Sequence, residues 1–447
     1  MKLECITTTF YDNCKEVSKQ NADFEIDGGI ENEVINLYPQ MKYQMFEGFG
    51  GAITDSAGYV YSEMGKEDKE VLLDSYFKES NLAYCLTRIH MDSCDFSLEH
   101  YEAMSDSKDR QMQSFDLSRS EKYIFPMLEE AQMVTDAPIR VMVSPWSPPS
   151  FMKTNGERNH GGKLKDEYKP FWADYICRYI KELRKRGYNV TRMSLQNEPN
   201  ATQSWDSCVY TPSEEKEFLR DYMYPALIRE GLSDMEIFIW DHNKERVFER
   251  ACEIIDEETN HMIAGIAFHW YSGDHFEALD MVRDRYPDKK LILSEACIEY
   301  CKYSKEEYLA NAQKYAHDII GNINHGMNAF YDWNIVLNEQ GGPNHVGNFC
   351  DAPYLYDMEQ KVLIERNTLA YIYHFSHFIM PGAIRIGHSR YTDRIEVTAL
   401  ENPDGTIVVV LLNRTDSMEK AVLRLNGKYA KVELKPLSIS TCVVSKK

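Results

Sequence analysis

Eight short apolar runs, at 46–49, 84–89, 139–143, 192–196, 236–240, 263–269, 290–293 and 327–331, alternate with amphipathic, charge-bearing stretches. That alternation marks repeated βα units, and eight such units close a parallel barrel. Helical candidates occupy the intervals 67–77, 168–186, 213–230 and 305–323, the third opening on Ser213 and acidic residues as helices do. The expected fold class is therefore α/β, a (β/α)8 TIM barrel. At 447 residues the chain has room for a barrel of about 250 to 350 residues and a smaller appended domain.

The appended part reads as β. Before the barrel, 24–26 and 34–37 are short and alternating. After Trp333 come a Gly- and Asn-rich loop, a helical stretch at 367–378, and two strands at 394–400 and 406–413 joined through Asn402-Pro403-Asp404-Gly405, a strong hairpin turn. Strand character continues to 444. The expected domains are N-terminal sandwich strands at 1–42, the catalytic barrel at 43–372, and a C-terminal β-sandwich at 373–447 completed by the N-terminal strands.

Barrel enzymes place their chemistry where strands end. The fourth run ends in Gln196-Asn197-Glu198-Pro199, with the proline stopping the strand, and the seventh in Ser294-Glu295-Ala296. Two strand-end glutamates suit an acid and a nucleophile. Five of the six tryptophans, Trp146, Trp205, Trp240, Trp270 and Trp333, lie at or after such ends. Core packing would not place them so; a polar, Trp-lined pocket would, and flat rings stack on the apolar faces of sugars.

A formal net charge of -21 and a pI near 5.1 disfavour nucleic acid and anionic lipid surfaces, so a neutral small molecule is the better partner. The opening residues lack the apolar core of an export signal and no 18-residue apolar run follows, so a cytoplasmic location without integral membrane association is expected. Eleven scattered cysteines fit free thiols. Gly48-Phe49-Gly50-Gly51 fails the dinucleotide pattern because residue 53 is Ile, and reads as a tight turn after the first strand. His374 and His377 sit in an aromatic stretch that reads as helix packing. No cofactor and no metal are expected.

The ordered set Gly48-Phe49-Gly50-Gly51-Ala52-Ile53-Thr54-Asp55, Ser93-Cys94-Asp95-Phe96-Ser97, Ser144-Pro145-Trp146-Ser147-Pro148-Pro149, Gln196-Asn197-Glu198-Pro199, His269-Trp270-Tyr271, Ser294-Glu295-Ala296-Cys297 and Asp332-Trp333-Asn334 resembles glycoside hydrolase family 30, the glucosylceramidase-like enzymes. The resemblance implies a retaining β-glycosidase acting on β-glucosides or a glycolipid. Glu198 would be the acid/base and Glu295 the nucleophile, with Glu295's charge raising the pKa of Glu198. It further implies that Arg88 and Tyr271 support Glu295 and that Asn197 bonds the sugar 2-OH. Asp95, Trp146, Trp205, Trp240, Trp333 and Asn348 are the remaining expected sugar contacts. The alternatives are a β-xylosidase or endo-β-glycanase on the same barrel, or a sugar-binding protein without catalysis.

Overall fold

The computed structural model describes residues 1–12 and 14–445; residue 13 and the last two residues of the expected sandwich, 446 and 447, lie outside the described residues. Eight parallel strands close a barrel in chain order: Phe49–Ala52, Leu86–Met91, Arg140–Pro145, Asn189–Ser194, Glu236–Asn243, Gly265–His269, Lys290–Glu295 and Met327–Asp332. Inward side chains, among them Leu86, Met142, Phe238, Ile292 and Tyr331, pack the interior into a core rather than a pore. At the N-terminal end, Arg192 pairs with Glu47 and, at 2.7 Å, with Glu236, so this buried guanidinium has anionic partners.

The first strand departs from expectation. Phe46 ends a long strand of the other sheet, Val34–Phe46, and the glycines expected in a turn are themselves the barrel strand. Gly50 pairs with Leu86, and a Cβ on it would stand 2.2 Å from the Leu86 carbonyl oxygen. Only a residue without a side chain lets the two backbones come this close.

The β part is a ten-stranded sheet built from both ends of the chain, with its own core including Ile35, Val397, Val409, Leu423, Val432 and Cys442. The strand Lys2–Tyr11 runs antiparallel to the last, Ser438–Ser445, and Val34–Phe46 pairs with Ala383–Arg390 just before the chain enters the barrel. Ile395–Glu401 and Ile407–Asn413 form the hairpin read from Asn402 to Gly405. The edge strand Cys14–Asp23 escaped the sequence reading because it is exposed and polar on both faces. The helix Asn367–Ser376 lies along the seam, where the buried His374 ring bonds Thr8 and Thr441. All eleven cysteines are free. Among the described residues no helix is long and apolar enough to cross a membrane.

Candidate active site

Arg88, in the second barrel strand, is fully buried at the centre of the site, and all five of its N–H donors are engaged. Its Nε donates to Ser144 Oγ (3.0 Å); Nη1 donates to the Ser294 carbonyl (3.2 Å) and Glu295 Oε2 (2.7 Å); Nη2 donates to Asn197 Oδ1 (2.8 Å) and Asp241 Oδ2 (2.9 Å). A guanidinium has no sixth donor, so the fork is saturated and its orientation is set. The Trp146 and Trp333 rings lie over it, 4.8 and 5.5 Å from its Cζ. Because Arg88 can only donate, the carbonyl side of Asn197 must face it, which turns the Asn197 amide N–H2 away.

Glu295 closes the seventh strand. Arg88 holds one of its carboxylate oxygens and the Tyr271 hydroxyl donates to the other at 2.9 Å. Burial raises its pKa, opposed by the charges of His269 and Arg88. Glu198 follows the fourth strand with a left-handed backbone, φ +45°, held by its N–H to the Asp241 carbonyl at 2.9 Å. A non-glycine residue in this region is under local strain, and here that strain serves to aim the carboxylate across the barrel mouth.

His269 links the two glutamates. The sixth strand shifts register at Ala267/Phe268 against the fifth strand and at Phe268/His269 against the seventh, which sets His269 level with Asn243 and Glu295. Such an irregularity re-aims a side chain. Its Nδ1 lies 3.3 Å from Glu198 Oε1 and its Nε2 lies 3.1 Å from Asp241 Oδ1 and 3.9 Å from Glu295 Oε2. Burial would strip the ring of its proton, but the charge of Glu295 and bonds to Asp241 and Glu198 lift its pKa to about 9. Burial likewise would raise Glu198, but His242 and His269 bring it down to about 2. The two shifts run in opposite directions across one contact, and both favour the proton on the imidazole over the carboxylate. Glu295 is expected to raise Glu198; instead the pKa of Glu198 is lowered, against burial, by the neighbouring histidines, of which His269 is the one whose own pKa is raised.

These groups open into a cavity of about 160 Å³ at the C-terminal mouth of the barrel. Its lining includes Glu198, Glu295, Asp95, Trp146, Asn197, Trp205, Tyr271, Trp333 and Asn348. Asp95 accepts a bond from Asn348 at 3.2 Å through Oδ2, while its Oδ1 and the Trp333 Nε1 are buried without a partner. An unmatched acceptor and donor on one small polar cavity suit a polyhydroxylated ligand. A wider hollow of about 780 Å³ on the β-sheet domain has no buried ionisable group in its lining.

Of the expected sugar contacts, Trp240 is set elsewhere. Its backbone is left-handed (φ +72°), its ring is buried under Arg250 and against His242, and its Nε1 donates to the Asn243 carbonyl. Trp270 too packs inward, on Tyr315. Strand-end position alone does not say which way a ring turns, since successive residues point to opposite faces. Sequence reading gave no role to His269, though it stands in the motif His269-Trp270-Tyr271, nor to Asp241, nor to the lining residues Gln203, Glu299 and Lys302. His269 and Asp241 stand at the ends of their strands beside residues it did single out, so their position was the available signal.

The model of the glycosyl hydrolase family 30 TIM-barrel domain matches residues 46–379, and that of the family's β-sandwich domain matches residues 382–442. The chain is 32% identical over 401 residues to the lysosomal acid glucosylceramidase of Mus musculus, covering 86% of this chain and 77% of that protein. It is 24% identical over 394 residues to an endo-1,6-β-D-glucanase of Trichoderma harzianum, covering 83% and 78%. Among solved structures it is similar to SrfJ from Salmonella typhimurium, with TM-score 0.96 and 37% identity. It is also similar to the endo-β1,6-glucanase BT3312, with TM-score 0.89 and 26% identity; both likenesses cover 100% of either chain.

Proposed function

The chain belongs to glycosyl hydrolase family 30 over both its barrel and its sandwich, and from that premise we propose that it hydrolyses β-glucosides with retention of configuration. The observation that carries the reading is the pair Glu198 and Glu295 facing one cavity across a shared imidazole. Glu295, pinned by Arg88 and Tyr271, attacks the anomeric carbon; those two bonds aim it and keep it ionised. Glu198 protonates the leaving oxygen, drawing on the proton that His269 Nδ1 holds 3.3 Å away. Once the glycosyl-enzyme forms, Glu295 is neutral, and Glu198 takes a proton from the incoming water. The Asn197 amide donates to the sugar 2-OH, and Asp95 Oδ1 and Trp333 Nε1 bond further hydroxyls.

The Glu198→Ala variant tests this. With a poor leaving group it loses about 10²- to 10⁴-fold in rate, the usual worth of a general acid. A dinitrophenyl glucoside needs no proton at departure, so its first step is nearly spared and the covalent intermediate accumulates. Azide, needing no base, restores turnover and yields a β-glycosyl azide. An α-azide, or equal losses with both leaving groups and no rescue, sinks the assignment.

A second reading, an endo-β-1,6-glucanase, is supported by the likeness to the Trichoderma and BT3312 enzymes. The small cavity favours one terminal sugar ring over a through-running chain. Products separate the two: glucose released singly from β-1,6-linked oligosaccharides supports the first, internal fragments the second.

A further inference from the structure

Outside the sugar cavity, three side chains from three separate loops converge on one point. His100 follows the second barrel strand, Asp206 follows the fourth, and His345 follows the eighth. Each can present a ligand atom, and these atoms lie within 4.8 Å of one another.

The state of each group suits coordination. Both the backbone N–H and the ring Nδ1 of His345 meet the Ser97 carbonyl, the ring at 2.8 Å. A carbonyl only accepts, so Nδ1 carries the proton and Nε2 keeps its lone pair. That Nε2 is buried without any partner. A ring nitrogen fixed by a backbone carbonyl, with the other nitrogen free, is the arrangement metal-binding histidines show. Burial also lowers the pKa of His345, which favours the neutral ring.

Asp206 is buried. Arg158 Nε (2.6 Å) and Ser93 Oγ (2.8 Å) hold its Oδ1, and Oδ2 faces His100 Nδ1 at 3.0 Å. Against the cost of burial, Arg158 and then His100 hold its pKa well below the usual carboxylate range. The two histidine rings stand 4.3 Å apart, and the His100 side chain is 40% exposed, so it is the arm free to close on an ion from solvent.

We propose that His100, Asp206 and His345 bind a divalent ion of the zinc class. Two imidazoles and one carboxylate suit zinc, whereas magnesium and calcium ask for oxygen ligands. Metal–nitrogen distances of about 2.0–2.1 Å place neighbouring tetrahedral ligands roughly 3.3 Å apart. The ligand atoms now lie within 4.8 Å of one another, so binding draws them closer, and the 40% exposed His100 side chain is the arm with most room to move. The fourth position opens to water.

The ion would tie together the loops that furnish the sugar cavity. Asp206 adjoins Trp205, His345 lies three residues before Asn348, and Asn348 donates to Asp95 on the loop that carries His100. Its role is to clamp these loops, not to take part in bond cleavage.

The test uses the full-length protein, stripped with a chelator and titrated with zinc or cobalt against a chromophoric competitor. Wild type is expected to take up one tight equivalent and to melt at a higher temperature with zinc, and not with magnesium or calcium. Bound cobalt should show the visible bands of a nitrogen–oxygen site without thiolate charge transfer, which separates it from binding at the exposed Cys14, Cys252 or Cys301. His100→Ala, at a partly exposed position, should fold as wild type does and lose at least the ~10- to 100-fold in affinity that follows loss of a mere outer partner. His345→Ala should lose as much, and neither variant should gain melting temperature with zinc. Unchanged affinity in both variants, a thiolate band as the main signal, or no uptake against the competitor overturns the site.

Discussion

At the scale of single residues, the proton inventory matters more than the identity of the two glutamates. Glu198 and Glu295 were legible as candidates only as a pair: either alone reads as an ordinary loop carboxylate, whereas two at the ends of barrel strands do not. Arg88 and Tyr271 came through the family resemblance. His269 was not legible as the proton holder, because its reach to both glutamates depends on register shifts that only the folded barrel has. In the proposed mechanism this placement leads to an expected pH profile. Glu295 must be ionised, and burial raises its pKa, so activity falls as pH drops through a value above that of ordinary glutamate. The donor proton rests on His269, with pKa about 9, so activity falls again as pH rises through that value. His269→Gln leaves Glu198 to hold the proton without an imidazolium beside it. The alkaline limb of kcat/KM should then move toward acid pH, and the acid limb should move up, because the charge of His269 no longer opposes the burial of Glu295. An alkaline limb that stays in place in this variant means another group holds the proton.

At the scale of elements, periodicity located seven of the barrel strands to within a few residues and misjudged the first, whose expected run shares only Phe49 with the strand Phe49–Ala52. Phe46 is apolar because it ends a strand of the neighbouring sheet, and Gly50-Gly51, which reads as a turn, is a strand squeezed between two others. Glycine is ambiguous in sequence because the same missing side chain serves a turn and a close approach. Substitution distinguishes the two uses. A Cβ on Gly50 meets backbone, the Leu86 carbonyl at 2.2 Å, so Gly50→Ala can be relieved only by parting two barrel strands. A Cβ on Gly51 meets the Ile335 Cγ2 at 2.3 Å, a side chain with a rotatable bond. Gly50→Ala should cost about 3 kcal/mol or more, the upper range for overpacking, and Gly51→Ala less. Denaturant melts of the two variants check the order; equal or reversed losses would mean that the first strand has more freedom than its pairing implies.

At the scale of the whole molecule, barrel and sandwich are bound together by the two ends of the chain. The sandwich was legible from its C-terminal hairpin, and 1–42 was assigned to it, but the edge strand Cys14–Asp23 was not legible as a strand, since Lys15, Glu16, Lys19 and Gln20 give it no apolar face. His374, read as helix packing, reports on this seam. Its Nε2 lies 2.8 Å from Thr8 Oγ1 in the first strand and its Nδ1 lies 2.9 Å from Thr441 Oγ1 in the last, so one neutral ring joins helix, N-terminus and C-terminus. Burial, then the charge of His377, lowers its pKa from 6.5 to about 3. The sign follows: above pH 6.5 folded and unfolded chains both hold a neutral ring. Below it the unfolded chain takes up a proton that the folded chain refuses, so stability is lost progressively until pH approaches 3. Each pH unit in that window costs about 1.4 kcal/mol, or about 2 kcal/mol between pH 7 and pH 5. His374→Gln keeps a donor and an acceptor for the two threonines and removes the titration. Its melting temperature should therefore fall less than that of wild type between pH 7 and pH 5, even if it starts lower. Parallel falls in the two proteins would show that His374 does not stay neutral in the folded seam, and that the termini are joined there less tightly than these bonds imply.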